Sequence, residues 1–189
     1  MADQASGRDV VDEFTEDHRE ALDLLAQIMK SGDRAQRREL TDMVIAEVVR
    51  HSVAEEMYVY PVMREHVPNA EDAVREDIEE HTGLERVMKE LEGTDPADSR
   101  FNELLREMTD QLAHHAHDEE TEQFPKLRQN IPHQRLVELR EKVESAKKLA
   151  PTRPHPDAPH SEVFHKLVGP GVGLVDRARD RLTGRATAS

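Results

Sequence analysis

Cysteine and tryptophan are both absent from the chain. Without cysteine there are no disulfides, no thiolate metal sites, no iron–sulfur cluster held by the chain's own ligands and no cysteine nucleophile. Aromatic residues are scarce, at 3% of 189. No apolar run reaches the roughly 18 residues that a bilayer span requires, so no membrane segment is expected. Basic residues are outnumbered, 26 Lys and Arg against 40 Asp and Glu, for a net charge of −14. Such a surface repels phosphate backbones and anionic lipid, which argues against nucleic acid and membrane as partners. The opening MADQASGRDV has neither a basic start nor an apolar core, so no secretory leader is expected and the cytoplasm is the expected location.

The chain is rich in good helix formers, and its apolar residues recur every three or four positions. Four long helical windows follow. The first covers about Val10 to Lys30 and carries Phe14, His18, Leu22 and Leu25. The second covers Arg34 to Glu65, with Val44, Val48, His51, Glu55, Tyr58 and Val62 on one stripe and Pro61 as a kink or stop. The third runs from a cap at Asn69 to Glu92 and carries Val74, Ile78, His81 and Met88. The fourth runs from Pro96 to Gln129 and carries Phe101, Leu112, His115 and Glu119. No window alternates with period two for long enough to be a strand. The expected fold is all-α, an antiparallel up-down four-helix bundle. An extra helix follows Pro132. Four prolines within Ala150–Pro159 then read as a linker, leading to a partly ordered tail with a short helix over Leu174 to Leu182. The expected division is a bundle over 10–149 and a Pro-rich linker and tail over 150–189.

The sequence repeats itself. Residues 55–68 (EEMYVYPVMREHVP) and 119–132 (EETEQFPKLRQNIP) align at an offset of 64, pairing Glu55 with Glu119, Tyr60 with Phe124 and Pro61 with Pro125. The same offset carries His51 onto His115, and an offset of 63 carries His18 onto His81. The bundle is therefore a duplicated helical hairpin. Each copy has one His on its first helix and His-x-x-x-Glu on its second.

All six of these residues lie on buried stripes. A single inward His is ordinarily a hydrogen-bonded core residue, and a single inward Glu pairs with a base or reaches out to solvent. Six such residues at matching positions in both copies are better explained as ligands, since buried carboxylates need a counter-charge. His18, His51, His81 and His115 with Glu55 and Glu119 would hold two metals, each with two imidazoles, bridged by the carboxylates. Mixed nitrogen and oxygen ligation suits iron, manganese or zinc. Haem would leave the two carboxylates unexplained.

These positions, with each Glu followed by Pro at a fixed distance, resemble the hemerythrin-like (HHE cation-binding) family over about residues 10–149. The resemblance implies a non-haem centre of two iron ions with an oxo or hydroxo bridge. It implies hydrogen peroxide, dioxygen or nitric oxide as the small partner, with a redox partner that the sequence does not name. Oxygen-carrying members have a further His on the third helix, where this chain flanks His81 with Asp77 and Glu85. The acidic surroundings favour catalase-like breakdown of hydrogen peroxide in oxidative or nitrosative stress. The alternatives are a sensor or carrier of dioxygen or nitric oxide, or a protein of iron storage or repair. Tyr58, three residues after Glu55, is expected on the ligand face as bundle core, a hydrogen-bond donor or a phenolate ligand. Glu85, one turn after His81, is a candidate further ligand or base. His114, His117 and Glu80 read as solvated, and His155, His160 and His165 as members of a mobile linker.

Overall fold

The computed structural model describes residues 7–160 and 168–185, and every regular element among them is helical. Helix α1 spans Val10–Lys30 and α2 spans Arg34–Ala54. A five-residue π-turn, Glu55–Val59, leads into α3, Tyr60–His66. Helices α4 (Ala70–Gly93) and α5 (Ser99–Asp118) follow. A second π-turn, Glu119–Gln123, leads into α6, Phe124–Asn130. Helix α7 is His133–Leu149 and α8 is Gly169–Thr183. None of these helices is long and apolar enough to cross a membrane.

Local chemistry sets the boundaries. Asp9 caps α1 in a reciprocal capping box with Asp12, and Asp33 and Asp98 cap α2 and α5. Asn69 was expected as a cap too. It does occupy the N-cap of α4, in a left-handed conformation with φ 57°, but makes no side-chain cap bond. The long second and fourth windows are each divided by a π-turn. Both turns end next to a proline, Pro61 or Pro125. Proline lacks an N–H and its ring crowds the carbonyl four residues back, and a five-residue ring relieves both problems.

The four long helices pack α1 on α2, α2 on α4, α4 on α5 and α5 on α1. Their shared core contains Phe14, Leu25, Ile45, Leu84, Met88, Phe101, Leu105 and Met108. Helix α7 lies outside, on α1 and α2, and buries Leu136, Leu139, Val143 and Ala146.

The Pro-rich stretch does not stand off as a spacer. Ala150, Pro151, Thr152 and Arg153 are buried. Thr152 and Arg153 both bind Asp180 of α8, and Arg153 also reaches Glu92 of α4 at 2.8 Å. Arg185 closes the same clamp on Glu92 and Asp42. Helix α8 is longer than the tail helix expected, because Gly169-Pro170-Gly171 forms its first turn, where proline's fixed φ suits a helix start. It packs so close to the end of α7 that a Cβ on Gly173 would lie 2.3 Å from the Leu149 carbonyl oxygen. Of the three linker histidines, His165 falls outside the described residues, whereas His155 and His160 are both held in contacts.

Candidate metal centre

Each of the four long helices contributes one imidazole to a single buried layer: His18 from α1, His51 from α2, His81 from α4 and His115 from α5. Glu55 and Glu119 open the two π-turns and enter the same layer, both essentially without solvent exposure. His18 Nε2 lies 3.2 Å from His51 Nε2, and His81 Nε2 lies 3.3 Å from His115 Nε2. Glu55 Oε2 lies 3.3 Å from His51 Nε2, 3.4 Å from His81 Nε2 and 4.0 Å from His115 Nε2. Glu119 Oε2 is 3.3 Å from His18 Nε2 and 3.6 Å from His115 Nε2. Each carboxylate thus touches both hairpins. All six residues singled out from the sequence come together here.

The outward Nδ1 of every imidazole meets its own carboxylate: His18 meets Glu120 at 3.0 Å, His51 meets Asp17 at 3.1 Å, His81 meets Glu56 at 3.0 Å and His115 meets Glu80 at 2.8 Å. These partners obey the duplication, since Asp17 and Glu80 each precede a ligand-layer His and Glu56 and Glu120 each follow a ligand-layer Glu. An Nδ1–H donating to a carboxylate fixes the tautomer and aims the Nε2 lone pair inward. Glu80, read from sequence as solvated, is therefore half-buried and functional in orienting His115. The signal was present as an acid before each first-helix His and a doubled Glu after each His-x-x-x.

The layer is a ring of acceptors. Both oxygens of Glu55 and Oε2 of Glu119 are buried and accept no well-aligned hydrogen bond among the described residues, although imidazole nitrogens face the Oε2 atoms at 3.3 to 4.0 Å. Positive charge belongs between these groups. Burial works against protonating His51, but Glu55 and Asp17 push it up to about 10. His81 is raised well above its ordinary value by Glu55 and Glu56, again against burial. Burial would raise Glu55, yet His51 and His81 hold it well below the usual carboxylate range. In a metal-free chain protons fill the role. A cation bound by the same nitrogens and oxygens fills it without them. His18, His51, His115 and Glu119 can each place a ligand atom within 4.8 Å of the others', as can Glu55, His81 and His115. The residues present therefore fit a metal.

Tyr58 is not brought to this layer. It is half-buried and lines an apolar cleft with Val53, Met57, Ala146, Leu149 and Pro170. Tyr60 takes the place expected for it. Its hydroxyl is 3.3 Å from His81 Nε2, with the two rings stacked at 5.8 Å. The reason is the π-turn: the bond from the Tyr60 N–H to the Glu55 carbonyl spans five residues, so residue 60 rather than 58 or 59 falls over Glu55. The repeat of Tyr60, Phe124, stacks in the same way on His18, with centroids 6.0 Å apart and planes at 4°. The pairing of Tyr60 with Phe124 was visible in the repeat, whereas the widened turn was not.

Glu85 is buried, but it faces away from the imidazoles and accepts from the His155 N–H at 3.1 Å. Burial raises its carboxyl. It lines a partly open cleft of about 220 Å³ with Val49, Arg153, His155 and His160, between the bundle and the tail. His160 Nδ1 lies 2.9 Å from Glu56 Oε1, the oxygen that also meets His81. Asp77, one turn before His81, is buried. It accepts from the Gln123 side chain at 2.7 Å, and burial together with Glu119 pushes it up to about 7.

The sequence profile of the Hemerythrin HHE cation binding domain matches residues 9–127. An uncharacterized hemerythrin-like protein of Schizosaccharomyces pombe is 25% identical over 174 residues, covering 92% of this chain and 86% of that protein. A protein of Nostoc named DNA nickase is 22% identical over 131 residues, 69% of this chain but only 37% of the nickase. No solved structure matches at a significant level. With the profile spanning more than half its length and the His and Glu cluster in place, the chain belongs to the hemerythrin HHE cation-binding family.

Proposed function

We propose that the chain is a di-iron protein that breaks down hydrogen peroxide. The observation that carries this reading is the convergence of the buried Glu55 and Glu119 carboxylates on four inward-facing imidazoles, with imidazole nitrogens 3.3 to 4.0 Å from their oxygens. His18 and His51 would hold one ion and His81 and His115 the other, with Glu55 and Glu119 shared between them, since each carboxylate reaches imidazoles of both hairpins. When bound, a pair of irons supplies two electrons at one place, which the disproportionation of two peroxides to dioxygen and two waters requires.

The chain's own part is to position and donate. Asp17, Glu56, Glu80 and Glu120 orient the imidazoles. Burial keeps the Tyr60 hydroxyl protonated, because nearby carboxylates, Glu55 foremost, add to the burial in raising it well above its ordinary value. That hydroxyl is a hydrogen-bond donor at the edge of the centre. Phe14, Leu84, Met108 and Leu112 of the surrounding core are buried, which disfavours a large substrate at the layer.

In this reading residues 10–149 form the metal-binding body, two antiparallel hairpins in one four-helix bundle. Of the tail's described residues, His155 and His160 lie on the body's His81 side, against Glu85 and Glu56. The nicking of DNA is not carried over, because a net charge of −14 opposes binding to phosphate backbones. A cysteine-free, acidic chain suits the cytoplasm.

The test is aerobic purification with metal analysis, followed by oxygen evolution on addition of peroxide. Two irons per chain with evolved oxygen is the expected result. Two irons with no oxygen evolved, and tight binding of dioxygen or nitric oxide instead, would transfer the proposal to gas binding. Zinc alone after iron-rich growth would defeat it.

A further inference from the structure

The ligand layer is closed to solvent: His18, His51, Glu55, His81, His115 and Glu119 are all almost fully buried. An ion must reach it through some seam between helices. The two hairpins, built alike at the centre, differ in what they place outside it.

On the α4–α5 seam, His114 Nε2 lies 3.5 Å from Glu80 Oε1 and 3.5 Å from Asp118 Oδ2. The His114 side chain is 64% exposed and that of Asp118 42%, so this group meets solvent. The other oxygen of Glu80 is the one bonded to His115 Nδ1. Further in, Asp77, Glu80 and His115 can also bring their ligand atoms within 4.8 Å of one another, and Asp77 Oδ2 is buried with no hydrogen-bond partner among the described residues. The outer, middle and central groups thus share members: Glu80 belongs to the first two and His115 to the last two.

The equivalent seam, α1–α2, carries none of this. Phe14 stands where Asp77 does, Arg50 where His114 does and Ala54 where Asp118 does. Asp17, the counterpart of Glu80, is held by the Lys147 ammonium at 2.6 and 2.8 Å. Arg50, paired with Glu47, adds a second cationic head. The acids of this seam are thus taken up by bases, Glu13 and Asp17 by Lys147 and Glu47 by Arg50. In the groove outside His18, Glu16 is taken up by Arg8 and Arg19, and Asp12 by Arg128.

We propose that the α4–α5 seam is the inlet for divalent cations, with His114, Glu80 and Asp118 as an exposed docking site that passes the ion past Glu80 and Asp77 to His115. One imidazole and two carboxylates are a donor set for ferrous iron, manganese or zinc. The inference rests on the reading of the buried layer as a metal centre.

The experiment strips the full-length protein of metal, mixes it anaerobically with Co²⁺ and follows the visible band of the buried ions by stopped flow. Wild type should fill two sites. His114→Ala and Asp118→Asn should each slow filling by about tenfold or more, the scale of electrostatic steering, with the same final band and stoichiometry. His114→Arg, which copies Arg50, should be slower still, and Arg50→Ala should leave the rate unchanged. Circular dichroism verifies that the surface variants fold. If wild type fills two sites and all three seam variants fill at its rate, the inlet is overturned. If wild type takes up no Co²⁺, the metal centre itself is overturned, and the inlet with it.

Discussion

The two hairpins agree at the centre and diverge one residue away from it. Both supply two imidazoles, one carboxylate in a π-turn, and two outer acids that fix the rings. Around that shared set, the first hairpin places the Phe14 ring edge-on to His51 at 4.8 Å and the Tyr60 hydroxyl at His81. The second places the Asp77 carboxylate near His115 and the bare Phe124 ring on His18. The layer residues stay paired, as the proposed metal-holding role would require, because a missing partner leaves buried charge uncompensated. The residues to which the proposals give entry and reactivity differ between the hairpins. The likeness therefore points to metal holding and the difference to chemistry.

The largest expected effects test the likeness. His51→Ala and His115→Ala should be equally damaging, since Glu55 and Glu119 touch both hairpins. Each should cut bound iron from two to one or none and reduce peroxide turnover by roughly 100-fold or more, and should lower the melting temperature by leaving Glu55 or Glu119 without a counter-charge. Metal analysis that found only one of the two variants deficient would show that the sites are independent.

Removal of residues 150–189 tests a difference imposed from outside, because His160 supports only the His81 side through Glu56. The shortened chain should keep the helicity of its bundle, losing only that of α8, but release one iron faster, by roughly 10–100-fold, as loss of a group that orients a ligand does. Equal release of both ions under a chelator would remove the tail from the account of the site. Tyr60→Phe makes the two hairpins alike at this position. Iron content should hold while turnover falls by roughly tenfold, the lower end of the same range.

The dependence on pH sharpens the contrast between proton-filled and metal-filled centres. His51 in the metal-free chain is raised to about 10 from an ordinary 6.5. Its contribution to stability is complete below pH 6.5 and is lost as pH rises through about 10. The metal-free protein should therefore melt at progressively lower temperature from neutral to alkaline pH. The iron-loaded protein, with neutral imidazoles bound to metal, should lack that decline. The smallest effect is expected from Tyr58→Phe, which should leave iron content and the visible spectrum as they are. A lost charge-transfer band would restore Tyr58 to the site.

The periodicity and the duplication made the all-helical fold and the six-residue layer legible, because those residues obey a simple register from His18 to Glu119. The failures share a cause. Tyr58 was placed on the ligand face by counting in regular turns, and a single widened turn moves every later residue by one position. Glu80 and His160 were misjudged because their neighbours are polar and local sequence looks solvated. Their partners, His115 and Glu56, come from other helices. The tail was taken for a spacer because its prolines rule out a helix. Proline does not prevent packing, and the ion pairs of Arg153 and Arg185 with Glu92 are long-range facts that no local pattern records.

The π-turns make chain length itself carry information. Between Glu55 and Pro61, and again between Glu119 and Pro125, there are five residues. A relative with four would close a regular helical turn, and a different side chain would roof the imidazole, even with every ligand conserved. Two family members could then share all six layer residues and still place different groups over the imidazoles. Alignments that treat a one-residue gap here as noise would erase the difference. Sorting relatives by this spacing, before comparing which residues fill it, is a direct way to group them by the surroundings of their His and Glu layer.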